Sequence, residues 1–150
     1  MTNPVARNIV PVGIAVVIMN RDGDLLLGKR RTSPGRGLYG FPGGHLEPGE
    51  TWAYRARQEV LEECGPDLRI EIGCHLWTHN SITQNPDGPR HYVTLFLAAR
   101  HLAGEAVTGE PDKCEGWEWM DYDTLGQLLE QPAYDDWLGG EDLMQQLRRM

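Results

Sequence analysis

Between Gly43 and Pro66 (GGHLEPGETWAYRARQEVLEECGP) lie Glu47, Glu50, Glu59, Glu62 and Glu63, against only Arg55 and Arg57 as basic residues. On a helix, Glu63 falls about one turn beyond Glu59, rotated by roughly 40°, with Glu62 on the flank. Three carboxylates then project to one side, with Cβ atoms about 5–6 Å apart, and they repel one another unless a cation intervenes. An oxygen-only cluster of this kind suits magnesium or manganese, which keep several waters and also bind substrate phosphates. A solvated acidic face is the ordinary explanation of a charge run. The Gly43-Gly44 pair just ahead weighs against it, because paired glycines let backbone approach a ligand closely and offer carbonyls to a metal.

The charge balance points the same way. A formal net charge of −8 repels phosphate backbones, which argues against non-specific binding to a nucleic acid polymer. It also repels a phosphorylated small substrate, unless a bound cation mediates. Cys64, Cys74 and Cys114 are an odd number with no CxxC pair, so we expect free, mostly buried thiols and a cytoplasmic, reducing setting. Met1 to Asn8 is short and polar, and no segment approaches membrane-spanning length, so neither a signal peptide nor a membrane partner is expected.

The acidic segment needs elements to hold it. Thr51 to Cys64 is the strongest helix candidate, with Thr51 as N-cap, Glu50 at the favourable end and Gly65-Pro66 as the stop. Val12 to Met19 reads as a buried strand, and Asn20, Asp22 and Gly23 turn the chain into a second strand at Leu25 to Leu27. Lys29 to Arg31 come at or just past its end; Ser33 to Gly37 is a loop, and Leu38 to Phe41 a short extended piece. Further strands are expected at Arg69 to Trp77, Tyr92 to Ala99 and Trp117 to Met120. The polar run Ile82 to Arg90 between the first two is long enough to be a lid. Asp121 or Asp123 can cap a helix through Leu129, and Glu141 to Met150 forms a last one. A single domain over 1–150 is expected, α/β mixed, with a mixed β-sheet covered by helices on both faces.

The acidic segment resembles the Nudix box, G-x5-E-x7-R-E-U-x-E-E-x-G-U with U a bulky aliphatic residue. Gly44, Glu50, Glu59, Val60, Glu62, Glu63 and Gly65 fall in register over 44–66, while Gln58 replaces an Arg and Pro66 an aliphatic residue. The resemblance implies the Nudix fold, an α/β/α sandwich around a mixed β-sheet. It implies that Glu59 and Glu63 are the principal ligands of a divalent metal, Mg2+ with Mn2+ as substitute, supported by Glu62 and the Gly43 carbonyl. One of these carboxylates, with Glu59 the choice, would also help orient or deprotonate the attacking water. Glu50, Gly44 and Gln58 are assigned structural roles. Gln58 offers amide hydrogen bonds without charge, so Gln58→Arg is expected to stabilise the metal-free protein unless Arg55 supplies the missing charge.

Gly28 to Arg31, Pro42 to Glu47, His91 to Thr94 and Glu110 to Trp119 resemble the MutT-like branch, whose members cleave nucleoside triphosphates to monophosphate and pyrophosphate. By that resemblance Arg30 contacts substrate phosphate, Leu46 and Thr94 line the substrate pocket, and Glu115 joins the metal site. Of Trp117 and Trp119, one is expected in the core and the other at a base pocket, and Trp137 is a further base-pocket candidate. The five histidines show no helical ligand spacing and are read as surface or supporting groups. The expected partner is a small-molecule nucleotide, oxidised or otherwise non-standard, as in nucleotide-pool sanitation; a homodimer is compatible with this size. The alternatives are a Nudix hydrolase of ADP-ribose, nucleotide sugars or other nucleoside diphosphate derivatives, and a Nudix-fold module that senses a nucleotide without turning it over. The intact Glu59, Glu62 and Glu63 argue against the sensor.

Overall fold

The apolar run that follows Pro11 is buried on both of its sides, and that fact organises the molecule. The computed structural model describes residues 9–150; the polar start read at Met1 to Asn8 lies outside them. Strand β1 (Val12–Met19) sends Ile14, Val16 and Ile18 to one core and Ala15 and Val17 to the other. A strand buried on both faces has no polar alternation, which is why it reads as a continuous Val/Ile run.

The other strands are β2 (Leu25–Arg30), β3 (Tyr39–Gly40), β4 (Gly43–His45), β5 (Arg69–Asn85), β6 (Gly88–Ala103) and β7 (Cys114–Met120). They make one mixed sheet in the order β3-β2-β1-β6-β5, with β4 added to β1 and β7 to β2. The parallel pair β1–β6 runs in register from Val12 beside Val93 to Met19 beside Arg100. Helix α1 (Trp52–Cys64) covers one face through Ala56, Val60 and Cys64. Helices α2 (Tyr122–Leu129), α3 (Ala133–Leu138) and α4 (Gly140–Leu147) cover the other through Leu125, Leu129, Tyr134, Leu138, Leu143 and Leu147. The layering matches the expected α/β/α sandwich. Among the described residues no helix is long and apolar enough to cross a membrane.

Local expectations hold at the caps. Thr51 accepts a hydrogen bond from Tyr54 N at 3.1 Å, and Asp121, rather than Asp123, accepts from Thr124 N at 2.7 Å. The Gly65 N–H closes α1 onto the Leu61 carbonyl at φ +87°, a conformation that favours glycine.

Three expectations are corrected. The lid is absent: β5 and β6 extend to Asn85 and from Gly88, leaving only Pro86 and Asp87 to turn between them. Alternation of buried Ser81 and Thr83 with exposed neighbours let this polar run continue as strand. Trp117 and Trp119 do not face opposite ways, as a core residue and a pocket residue on one strand would, although Trp117 also borders the cleft described below. They stand two apart on β7, share a face and both pack on the α1 side. Finally, α3 was not foreseen. It is short, and Pro132 at its start gives no side-chain cap.

Candidate active site

Antiparallel pairing of β4 with β1 sets Gly43 beside Ala15 and Gly44 beside Ile14, under the face of α1 that carries the glutamates. A Cβ on Gly43 would run into the Ile14 carbonyl, and one on Gly44 would overlap the Glu59 carboxylate. Gly43 is thus a steric requirement of the close approach between β4 and β1, while Gly44 leaves room for the Glu59 carboxylate where it lies. The Gly43 N–H donates to Glu63 Oε2 at 2.9 Å, tying the loop to the last turn of the helix.

A cleft of about 460 Å3 opens here. Its walls include Gly43, Gly44, Glu59, Glu62 and Glu63 from one side and Arg30 from the end of β2 on the other. Burial, above all, pushes the Glu63 carboxyl up to about 8; Glu59 and Glu110 add repulsion, and the Gly43 N–H and Arg30 oppose it. Burial likewise raises Glu59, with Glu62 adding to the effect and Arg55 countering it. Burial lowers Arg30, against the attraction of Glu63. Burial, with mutual repulsion added, thus favours the neutral form of both half-buried carboxylates.

Arg55 is the internal counter-charge. It donates from Nε and Nη2 to the two oxygens of Glu50 at 2.9 and 2.6 Å, and from Nη1 to Glu59 at 3.1 Å. Glu50 also accepts from Glu47 N at 2.9 Å, so it joins the entry loop to the helix start. Gln58 is half-buried one turn away. At the far end of α1, the Glu63 carbonyl accepts from Trp117 Nε1 and Gly109 N, both at 2.9 Å, which fixes the height of the Glu63 side chain.

Next to the acidic wall a smaller pocket of about 150 Å3 is lined by Ala15, Tyr92, Thr94, Phe96, Trp137 and Leu138, and it shares Arg30, Gly43 and Gly44 with the cleft. Thr94 therefore lines this pocket. Leu46 does not; it packs into the α1-side core, because its backbone N–H pairs with the Val12 carbonyl and continues β4. Nor is Glu115 brought to the cleft. It lines a separate depression with Lys29, Tyr39 and Glu118, while Glu110 and Lys113 stand at the cleft instead. Glu115 lies in β7, at the irregularity where Gly28 pairs with Trp117 and Arg30 with Cys114, whereas Glu110 precedes the strand, and no residue-type signal distinguishes the two. Among the cleft residues that sequence reasoning did not assign to it are Arg55, Glu110 and Lys113. Of these, only Arg55 had a local signal, its spacing to Glu59.

Among the described residues no three His, Cys, Asp or Glu side chains form a group that could hold a metal ion as positioned. Two of the carboxylates have internal partners instead: Glu59 takes Arg55, and Glu63 takes Gly43 N–H. The donor set is nonetheless all oxygen, and burial first, with neighbouring carboxylates second, raises the proton affinity of Glu59 and Glu63. Those features fit a hard divalent ion. Cys64 and Cys114 are free and buried, Cys74 free and exposed.

The NUDIX domain family profile matches residues 10–138. A putative 8-oxo-dGTP diphosphatase of Bacillus subtilis is 40% identical over 108 residues, covering 71% of this chain and 60% of that protein. An ADP-ribose pyrophosphatase of Methanocaldococcus jannaschii is 30% identical over 111 residues, covering 74% of this chain and 62% of that protein. The chain thus spans less than two thirds of either curated relative. A solved MutT NUDIX hydrolase from Burkholderia pseudomallei superimposes with a TM-score of 0.68 at 28% identity, over 91% of this chain and 96% of that one.

Proposed function

Since this chain belongs to the NUDIX family, we propose that it is a divalent-metal-dependent hydrolase of nucleoside triphosphates, releasing monophosphate and pyrophosphate. The observation that carries the reading is the juxtaposition, in one cleft, of the Glu59–Glu62–Glu63 wall, the opposed Arg30 guanidinium and an adjoining pocket large enough for part of a nucleoside.

Arg30 binds the phosphate chain, as a permanently charged forked donor suited to phosphate oxygens. Glu59, Glu63 and Glu62, with the Gly43 carbonyl, would hold Mg2+ or Mn2+, which would neutralise phosphate charge and lower the pKa of water. Glu59, steadied by Arg55, or Glu63 orients the attacking water and accepts its proton. The water oxygen bonds to phosphorus, the α–β bridging bond breaks, and the leaving phosphate keeps the bridging oxygen. Thr94 and Tyr92 line the nucleoside end. We assign the protein to the cytoplasm, acting on small nucleotides rather than on polymers; clearance of oxidised nucleotides agrees with the likeness to the Bacillus subtilis protein.

A second reading, hydrolysis of ADP-ribose or another nucleoside diphosphate derivative, is favoured by the likeness to the Methanocaldococcus jannaschii protein. A panel of triphosphates, ADP-ribose and sugar nucleotides, run with Mg2+ or Mn2+ in oxygen-18 water, separates the two. Pyrophosphate with a nucleoside monophosphate supports the first. Turnover confined to the diphosphate derivatives moves the protein to the second.

A further inference from the structure

We infer that Trp137 is a positioning residue for Arg30, and that α3 serves to hold the Arg30 guanidinium at the phosphate end of the cleft. The inference rests on Arg30 as the phosphate-binding residue of the function proposed above. Arg30 ends β2 with a long side chain that would otherwise sample many rotamers. Its Nε donates to the Pro34 carbonyl at 2.7 Å, and its Cζ stands 5.2 Å from the centre of the Trp137 ring. Among the described residues neither Nη has a hydrogen-bond acceptor, so the fork is left available to an anion in the cleft that it lines. Burial disfavours this charge, and the indole face compensates where water cannot, since cation–π attraction strengthens on desolvation.

The platform is itself immobilised. Trp137 Nε1 donates to the Tyr39 carbonyl at 2.9 Å, and Tyr39 N–H donates to the Tyr134 hydroxyl at 2.9 Å, so two side chains of α3 grip one residue of β3. The indole lies against Gly35 and Gly40. A Cβ on Gly35 would come to 2.7 Å from the ring, and one on Gly40 to 3.3 Å. Every contact that fixes the ring therefore also fixes the height of the guanidinium above it.

The test uses the whole chain with Trp137→Leu, Trp137→Phe and Arg30→Gln. In side-chain NMR, the Arg30 Nε–H signal should be shifted by the indole ring current, averaged in Trp137→Leu and largely restored in Trp137→Phe. Calorimetric affinity for inorganic tripolyphosphate with Mg2+ should fall about tenfold in Trp137→Leu, or about 1.4 kcal/mol, and return to within about threefold in Trp137→Phe. Arg30→Gln with Trp137→Leu should bind no more weakly than Arg30→Gln alone. Tripolyphosphate has no base, so a ring that served only to stack on a nucleoside would leave its affinity unchanged. An unaltered Arg30 signal in Trp137→Leu, or additive losses in the double variant, overturns the inference. If tripolyphosphate fails to bind the wild type while the NMR pattern holds, Arg30 is positioned by Trp137 but is not the phosphate residue, and the proposed function is what falls.

Discussion

Arg55 and Glu50 form a two-bond ion pair, 2.9 Å from Nε to Oε1 and 2.6 Å from Nη2 to Oε2, and the third arm of the same guanidinium reaches Glu59. The pair holds the Arg55 proton above the usual guanidinium range and the Glu50 carboxyl below the usual carboxylate range. Here lies the positive charge that the box lacks at Gln58. The first prediction follows from that substitution of roles. Arg55→Gln should lower turnover by about 10–100-fold, as removal of a group that orients a reacting carboxylate typically does. Gln58→Arg, with the charge already supplied, should change the melting temperature of the metal-free protein little, by less than the equivalent of about 0.5 kcal/mol. Steady-state kinetics and melts in chelator check both; a normal rate in Arg55→Gln would sink the assignment.

The second prediction concerns the carboxylates. Chelator should abolish hydrolysis and Mg2+ or Mn2+ restore it, while Glu59→Gln and Glu63→Gln each reduce turnover by roughly 100-fold or more with circular dichroism unchanged. Near-normal rates in both variants would remove the acidic wall from the mechanism.

The third uses the upward shift of Glu63 to about 8. A carboxyl whose pKa rises on folding stabilises the folded state while it is protonated, and that stabilisation is lost as pH climbs through the folded-state value. The metal-free protein should therefore become steadily less stable from about pH 5 to pH 8, with the raised Glu59 contributing in the same direction. Saturating Mg2+ should flatten the trend, because the bound ion favours the ionised forms. Melting temperatures in chelator that rise across this range would contradict it.

The fourth tests the cradle. A methyl at Gly44 would overlap the Glu59 carboxylate without meeting a backbone penalty, because Gly44 does not adopt a positive φ. Gly44→Ala should leave stability nearly unchanged, since the end of the Glu59 side chain can swing aside, and lower turnover by about 10–100-fold through displaced Glu59. A variant with wild-type rate would mean that Glu59 acts from another rotamer.

Local order was legible because it is written at short range. The spacing of Glu59, Glu62 and Glu63 puts them on one helix face whatever the rest of the chain does. Thr51 and Gly65 bound that helix through hydrogen bonds made within one turn. The run of Val12–Met19 announces a strand buried on both sides before its partners are known. What the sequence left open depends on strands and loops far apart in the chain. Where Glu115 points is set by the β2–β7 register, since one step along a strand reverses the face a side chain points to, while Glu110 reaches the cleft from the loop ahead of β7. Leu46 went to the core because β4 continues along β1. Residues 82–85 became strand because β6 was there to pair with them. The α3 helix, too short to signal itself, exists where Tyr134 and Trp137 find Tyr39, some 95 residues away in the chain. Only folding could bring that platform under Arg30, because the contact energy that orders it is supplied almost wholly by residues it never meets in sequence.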